Sequence, residues 1–167
     1  RPGGNTVIGT EAVAKAPADD YTLLITGSST MSIQPFVFAG KLPYDPLRDF
    51  APVSMVSRFP FFLFVPSNLA TSLKELVELS KAKQLAYASN GSGTITHLGM
   101  EMLKQATGLE ALHVPYKGFG PAMPDLLSGR VAMMMADLAP ASEQLRAGKL
   151  KALVATTTQR SAFLPEV

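Results

Sequence analysis

A chain of 167 residues suits one domain or two small lobes, and 47% hydrophobic with 17% charged residues supplies a globular core and excludes a disordered chain. A net charge of +2, with Lys and Arg scattered, lacks the basic run expected of a nucleic-acid binder. Cys is absent, which excludes disulfides, thiolate metal sites and Cys nucleophiles, and two His, His97 and His113, are too few for a His-rich metal site.

No apolar run approaches the ~18 residues of a membrane-spanning helix. The longest, Phe59 to Pro66, is about a strand long. The chain starts at Arg1 rather than Met and stops at "SAFLPEV", so it reads as a fragment or a processed product.

In chain order, Asn5 or Thr6 is expected to cap a helix over Val7 to Ala16, stopped by Pro17. "YTLLIT" (Tyr21–Thr26) reads as a buried strand running into a Ser/Thr loop, Gly27–Ser32. A Pro-rich connector, Lys41–Phe50, leads to one long extended stretch, Ala51–Pro66, bent at Pro60. Ser72 and Glu75 form an S-x-x-E capping box before a helix carrying Leu73, Leu76 and Val77.

"LAYAS" (Leu85–Ser89) is a strand. After a Gly-rich loop comes a helix with Leu98, Met102 and Ala106 on one face and Gly108 at its end. "ALHVPY" is a strand, "KGFG" a loop, and Pro121 and Gly129 bracket a further helix that Pro124 makes less regular. "VAMMMA" is a strand whose methionines pack in the core. Asp137–Pro140 starts a helix that ends at Gly148, and Leu150–Thr157 is the last strand. From Ser72 on, helix and strand alternate four times, the pattern of a parallel α/β sheet covered by helices.

In such sheets ligands bind where strand ends lead into helices. Three corners qualify: Gly27–Ser32, Ser89–Thr96 and Asp137–Ala141. The first two are rich in Gly and hydroxyls, and a helix N-terminus offers N–H groups and partial positive charge to an anion. The same residues also suit ordinary turns that cap helices. "SNGSGT" is neither a G-x-x-x-x-G-K-[ST] phosphate loop nor a G-x-G-x-x-G fingerprint.

His97 lies among hydroxyls, yet no G-x-S-x-G elbow marks a nucleophile, so both His97 and His113 read as structural. Asp137 is either an N-cap or an acceptor for a ligand. Tyr116 and Lys117 follow a strand and sit near the same rim.

The stretches "RPGGNTVIGTEAVAKAPADDYTLL", "KLPYDPLRDFAPVSMVS", "LAYASNGSGTITHLGMEMLKQATGLEALHVPYKGFGPAMPDLLSGRVAMMMADL" and "AGKLKALVATTTQRSAFLPEV" together resemble the extracytoplasmic solute receptors of the tripartite tricarboxylate transporter family, also called Bug receptors. The resemblance covers essentially the whole chain. It implies an α/β, two-lobed periplasmic binding protein of type II fold, with no catalysis, no cofactor and no metal. Residues 1–57 would be part of lobe one, 58–148 a complete lobe two, and 149–167 the return crossing, because full receptors are nearly twice as long.

The resemblance also implies a periplasmic location and a small organic acid as ligand: a mono-, di- or tricarboxylate, a nicotinate-type acid or an acidic amino acid. Membrane transporter subunits are the implied partners, and nucleic acid is not one. Family contacts come from strand-to-helix corners. Here they map onto Gly27, Ser28, Ser29 and Thr30, onto Ser89, Asn90, Gly91, Gly93 and Thr94, and onto Asp137 on the facing rim. Hinge closure through Ser54–Pro66 and Leu150–Thr157 would follow binding.

Two rivals stand beside this reading. One is the ligand-sensing domain of a transcription regulator, which shares the fold and needs a DNA-reading segment. The other is a small hydrolase using Ser89, Ser92 or Thr94 with His97.

Overall fold

The computed structural model describes residues 4–167; the first three residues of the expected first lobe lie outside them. The chain divides into two compact units, residues 1–56 with Gly93–Ile95, and 57–92 with 96–167.

In the first unit α1 spans Val7–Ala14. Thr6 stands at its N-cap position, but with φ 72° and no side-chain cap. Its hydroxyl is spent elsewhere, on the Asn5 carbonyl at 2.5 Å and on Thr30 Oγ1 at 2.7 Å. The expected loop at Gly27–Ser32 is wound up instead: a π-helical turn, Ser29–Ile33, runs straight into α2, Gln34–Val37. Short π turns of this kind are uncommon and concentrate at functional positions.

The expected buried strand over Tyr21–Thr26 is corrected. That segment has no regular structure, and Tyr21 and Ile25 are 92% and 83% exposed. A strand is stable only when its backbone pairs with a neighbour and one face is covered, and all five strands of the sheet lie within residues 62–155.

The second unit is built on that sheet: β1 Phe62–Pro66, β2 Leu85–Ser89, β3 Ala111–Pro115, β4 Met133–Ala136 and β5 Leu150–Ala155. The order is β3-β2-β4-β1-β5. β2 is parallel to β3 and β4, as expected. β1, however, is antiparallel to both β4 and β5, so the sheet is mixed rather than parallel. Every residue of β1 is buried. Burial on both faces erases the alternation that marks a one-sided strand, and it carries no information about strand direction. The long stretch expected over Ala51–Pro66 contracts to these five residues, beginning two after Pro60.

Helices cover both faces. α3 (Leu73–Ala82) and α4 (Ile95–Thr107) lie over Leu63, Val65, Leu85, Tyr87, Met133 and Met135, where Leu76, Val77 and Met100 fill the layer. On the other face α5 (Phe119–Leu127) sets Ala122 and Leu126 against Phe62, Phe64, Ala88 and Met134. Each large side chain buried here contributes roughly 1.5–3 kcal/mol. The short α6 (Ser142–Arg146) follows a 3₁₀ turn over Ala139–Ala141.

The start of α3 matches its sequence signal. Ser72 Oγ accepts from the Glu75 N–H at 3.2 Å. The Glu75 carboxylate reaches back one residue further than a simple capping box, accepting from the Thr71 N–H and hydroxyl at 2.7 Å each. Those bonds hold its acidity above that of an ordinary glutamate.

In α4 the period was right and the phase was not. Thr96 and Met100 are buried and Leu103 packs beside them, whereas Met102 is 70% exposed. Gly99 explains the choice of face: a Cβ there would lie 2.6 Å from Met135 Sδ, so the helix rests directly on β4. Gly118, at φ 115°, occupies the N-cap position of α5, which takes Phe119 and Gly120 out of the expected loop.

Candidate functional site

Because β2, β3 and β4 are parallel, their carboxyl ends gather at one end of the second unit's sheet. That end carries Ser89 with Asn90 and Gly91, Tyr116 with Lys117, and Asp137. Asp137 therefore shares a rim with the Ser89 corner instead of facing it. Its Oδ1 accepts from the Ala139 N–H at 3.2 Å, the turn-capping role weighed for it from sequence.

The loop after β2 is shaped by glycine. Gly91 has φ 132° and Gly93 φ 75°, conformations that L side chains rarely adopt. Ser89 is completely buried, and its Oγ lies 3.1 Å from the Gly91 N–H, which donates to it, and 3.2 Å from the Gly91 carbonyl. Thr96 Oγ1 closes the loop from the first turn of α4, accepting from the Asn90 N–H at 3.3 Å and donating to Asn90 Oδ1 at 3.2 Å. Thr94 precedes α4, thirteen residues long.

Within the first unit, Gly93 and Thr94 group with Gly27–Thr30. There Ser29 Oγ accepts from the Ile95 N–H at 2.9 Å, and the Gly27 carbonyl accepts from the Thr30 N–H at 3.2 Å. Thr30 is 2% exposed. It belongs to a buried polar cluster in which the Tyr44 hydroxyl donates to Gln34 Oε1 at 3.1 Å, and Gln34 Nε2 to the Asn5 carbonyl. Burial holds the Tyr44 phenol above its ordinary pKa. A Cβ on Gly93 would meet Val37 Cγ1 at 2.8 Å.

The histidines were read first as structural, with His97 also the candidate base of the hydrolase rival, and their arrangement was not foreseen. Tyr87 and His113 are register partners on β2 and β3. The two imidazoles stack at 4.0 Å and 14°, and His113 stacks on Tyr87 at 5.0 Å. Ser89 Oγ lies 2.6 Å from His113 Nε2, so the Ser89 hydroxyl that the hydrolase rival offered to His97 is paired with His113, sealed from solvent. Burial, then His97, lowers the His113 pKa. The Tyr87 hydroxyl donates to Glu101 at 2.6 Å, and Lys104 reaches the same oxygen at 2.8 Å. Burial raises the Tyr87 pKa, whereas Lys104 and then Tyr87 lower that of Glu101. The sequence signal for this cluster was a parallel register, which no local pattern encodes.

An open cavity of ≈ 460 Å³ in the same unit is lined by Thr71, Arg146, Leu150 and Lys151, among others. Leu150 pairs with Pro66, at the end of the sheet opposite Ser89, so this cavity is not the corner.

The sequence matches the model of the tripartite tricarboxylate transporter family receptor over residues 1–167. The chain belongs to that receptor family. It is 39% identical to the protein BugT of Bordetella pertussis over 170 residues, covering 100% of this chain and 52% of BugT. It spans about half the length of the curated relatives it matches. Among solved structures, Rpa4515 of R. palustris with adipate superposes with a TM-score of 0.89 at 35% identity, covering 96% of this chain and 54% of that one. The periplasmic binding protein BugD gives 0.86 at 31%, covering 99% and 56%. The fold is thus the mixed α/β fold of the family's periplasmic binding proteins, of which BugD is one. Among the described residues no helix is long and apolar enough to cross a membrane.

Proposed function

We propose that this chain is part of a periplasmic receptor that captures a small organic carboxylate and delivers it to a tripartite tricarboxylate transporter, without catalysis. The observation that carries this reading is the Ser89–Thr94 corner. A buried parallel strand ends in a loop with two positive-φ glycines, and the thirteen-residue α4 follows it. Backbone N–H groups at such a place suit an anion without Lys or Arg, through charge-assisted bonds of roughly 1.5–3 kcal/mol each. The adipate held by the R. palustris relative supports the ligand class. Asn90, Gly91, Gly93 and Thr94 are the proposed contacts. Gly27, Ser28, Ser29 and Asp137 are further candidates, and Ser89 and Thr30 are weaker ones because their hydroxyls are buried against His113 and Thr6.

Calorimetric titration with adipate, malate, citrate, nicotinate and glutamate tests the proposal. At least one acid is expected to bind; a neutral sugar that binds where every acid fails would overturn it. Thr94→Val should weaken the bound acid, and unchanged affinity would remove Thr94 from the site.

A further inference from the structure

Ser89 Oγ has one proton and three polar neighbours: the Gly91 N–H, the Gly91 carbonyl and His113 Nε2. The Gly91 N–H can only donate to it, and the Gly91 carbonyl can only accept from it. All three contacts are made at once only if His113 donates, with its proton on Nε2. The other neutral tautomer would take the Ser89 proton and so give up the bond from Ser89 Oγ to the Gly91 carbonyl.

We propose that His113, held as the Nε2–H tautomer, is a positioning residue that fixes the ligand loop through Ser89. By donating to Ser89 Oγ it directs that hydroxyl's own proton onto the Gly91 carbonyl, and so locks the peptide plane between Gly91 and Ser92. The peptide is planar and trans, so anchoring its carbonyl also sets the direction of the N–H that follows. Gly91 supplies the φ of 132° that the anchored geometry demands.

The surroundings hold the ring in place and neutral. His97 from α4 stacks on one face at 4.0 Å, and Tyr87 from β2 stacks on it at 5.0 Å. Glu101 and Lys104, also from α4, are paired with each other beside Tyr87. Burial first, and then the neighbouring His97, disfavour a charged His113. That the locked loop holds a carboxylate rests on the function proposed above; the lock itself does not.

Two readouts separate the two ideas. Nitrogen NMR of the unliganded protein at pH 7.5 should show a protonated Nε2 and a bare Nδ1 on His113; the opposite tautomer overturns the proposal. In His113→Phe, which keeps a ring in the stack, the Gly91 amide resonance should move, and in His113→Gln, whose amide places a donor near the Nε2 position, it should return. A Gly91 resonance that ignores both variants overturns the proposal as well. If His113→Phe does not fold, Ser89→Ala carries the same measurement. With adipate as probe, His113→Phe should weaken binding about tenfold and His113→Gln about threefold or less, with both melting as cooperatively as the parent. Equal affinity in His113→Phe overturns the positioning role. If no acid binds the parent, the carboxylate function fails, and a Gly91 shift rescued by His113→Gln still establishes the lock.

Discussion

The second unit places residues of all five strands between two layers of helix, and Phe62, Leu63, Phe64 and Val65 are each at most 1% exposed. The first unit has no strand among its described residues. It is organised around a polar cluster, Thr6, Thr10, Thr30, Gln34 and Tyr44, while Leu23, Ile25, Leu47 and Val53 stay exposed. "YTLLIT" and "FFLFVP" are both short stretches of mainly apolar residues. One becomes a fully buried strand and the other stays without regular structure. The difference is the presence of neighbours on both sides, since an apolar run gains little until something covers it.

Four measurements sharpen or break this contrast. Phe64→Ala should have the largest effect, about 3–5 kcal/mol of destabilisation in urea unfolding followed by circular dichroism, because it empties a fully buried ring site in the sheet. A loss below about 1 kcal/mol would mean that the second unit's core is not what holds it. Gly93→Ala should cost about 1–3 kcal/mol, from its φ of 75° and the 2.8 Å approach to Val37. No loss would show that this tight approach in the first unit is not maintained in solution.

The pH dependence should be smaller. His113 has a folded pKa below its ordinary 6.5, so its neutral form is the one the fold favours. Its contribution is fully present above pH 6.5 and is lost as pH falls from there toward the lowered folded value. Unfolding midpoints taken between pH 5 and 8 should fall on the acid side, and His113→Phe should flatten that slope; an unchanged slope would assign it to other groups. Leu23→Ala should matter least, within about 0.5 kcal/mol, since its side chain is exposed. A loss of 2 kcal/mol would show that the segment is covered in solution.

Much of the second unit was legible because its signals are local. Ser72 caps α3, the strand "LAYAS" runs from Leu85 to Ser89, and Gly108, Gly129 and Gly148 sit at positive φ where helices end. These depend on a residue and its neighbours within about a turn. The face of α4 was misjudged by a step of phase because Leu98 and Met102 look as apolar as Met100 and Leu103. What decides between them is Gly99 against Met135, a contact with a strand 36 positions away. The corner was readable as glycine and hydroxyls. Which hydroxyl touches what was not: Thr30 is consumed by Thr6, and Ser89 is tied to His113.

The sequence alone determined where most strands and helices of the second unit lie, the likeness to a receptor family, and the corner rich in Gly, Ser and Thr that is proposed as the ligand site. Those are matters of spacing, caps and side-chain inventory. Tertiary structure alone decided the antiparallel β1, the uncovered Tyr21–Thr26 segment and the stacked histidines behind the corner. Each of these depends on which strand lies beside which, and pairing across dozens of residues leaves no mark on any local stretch of chain.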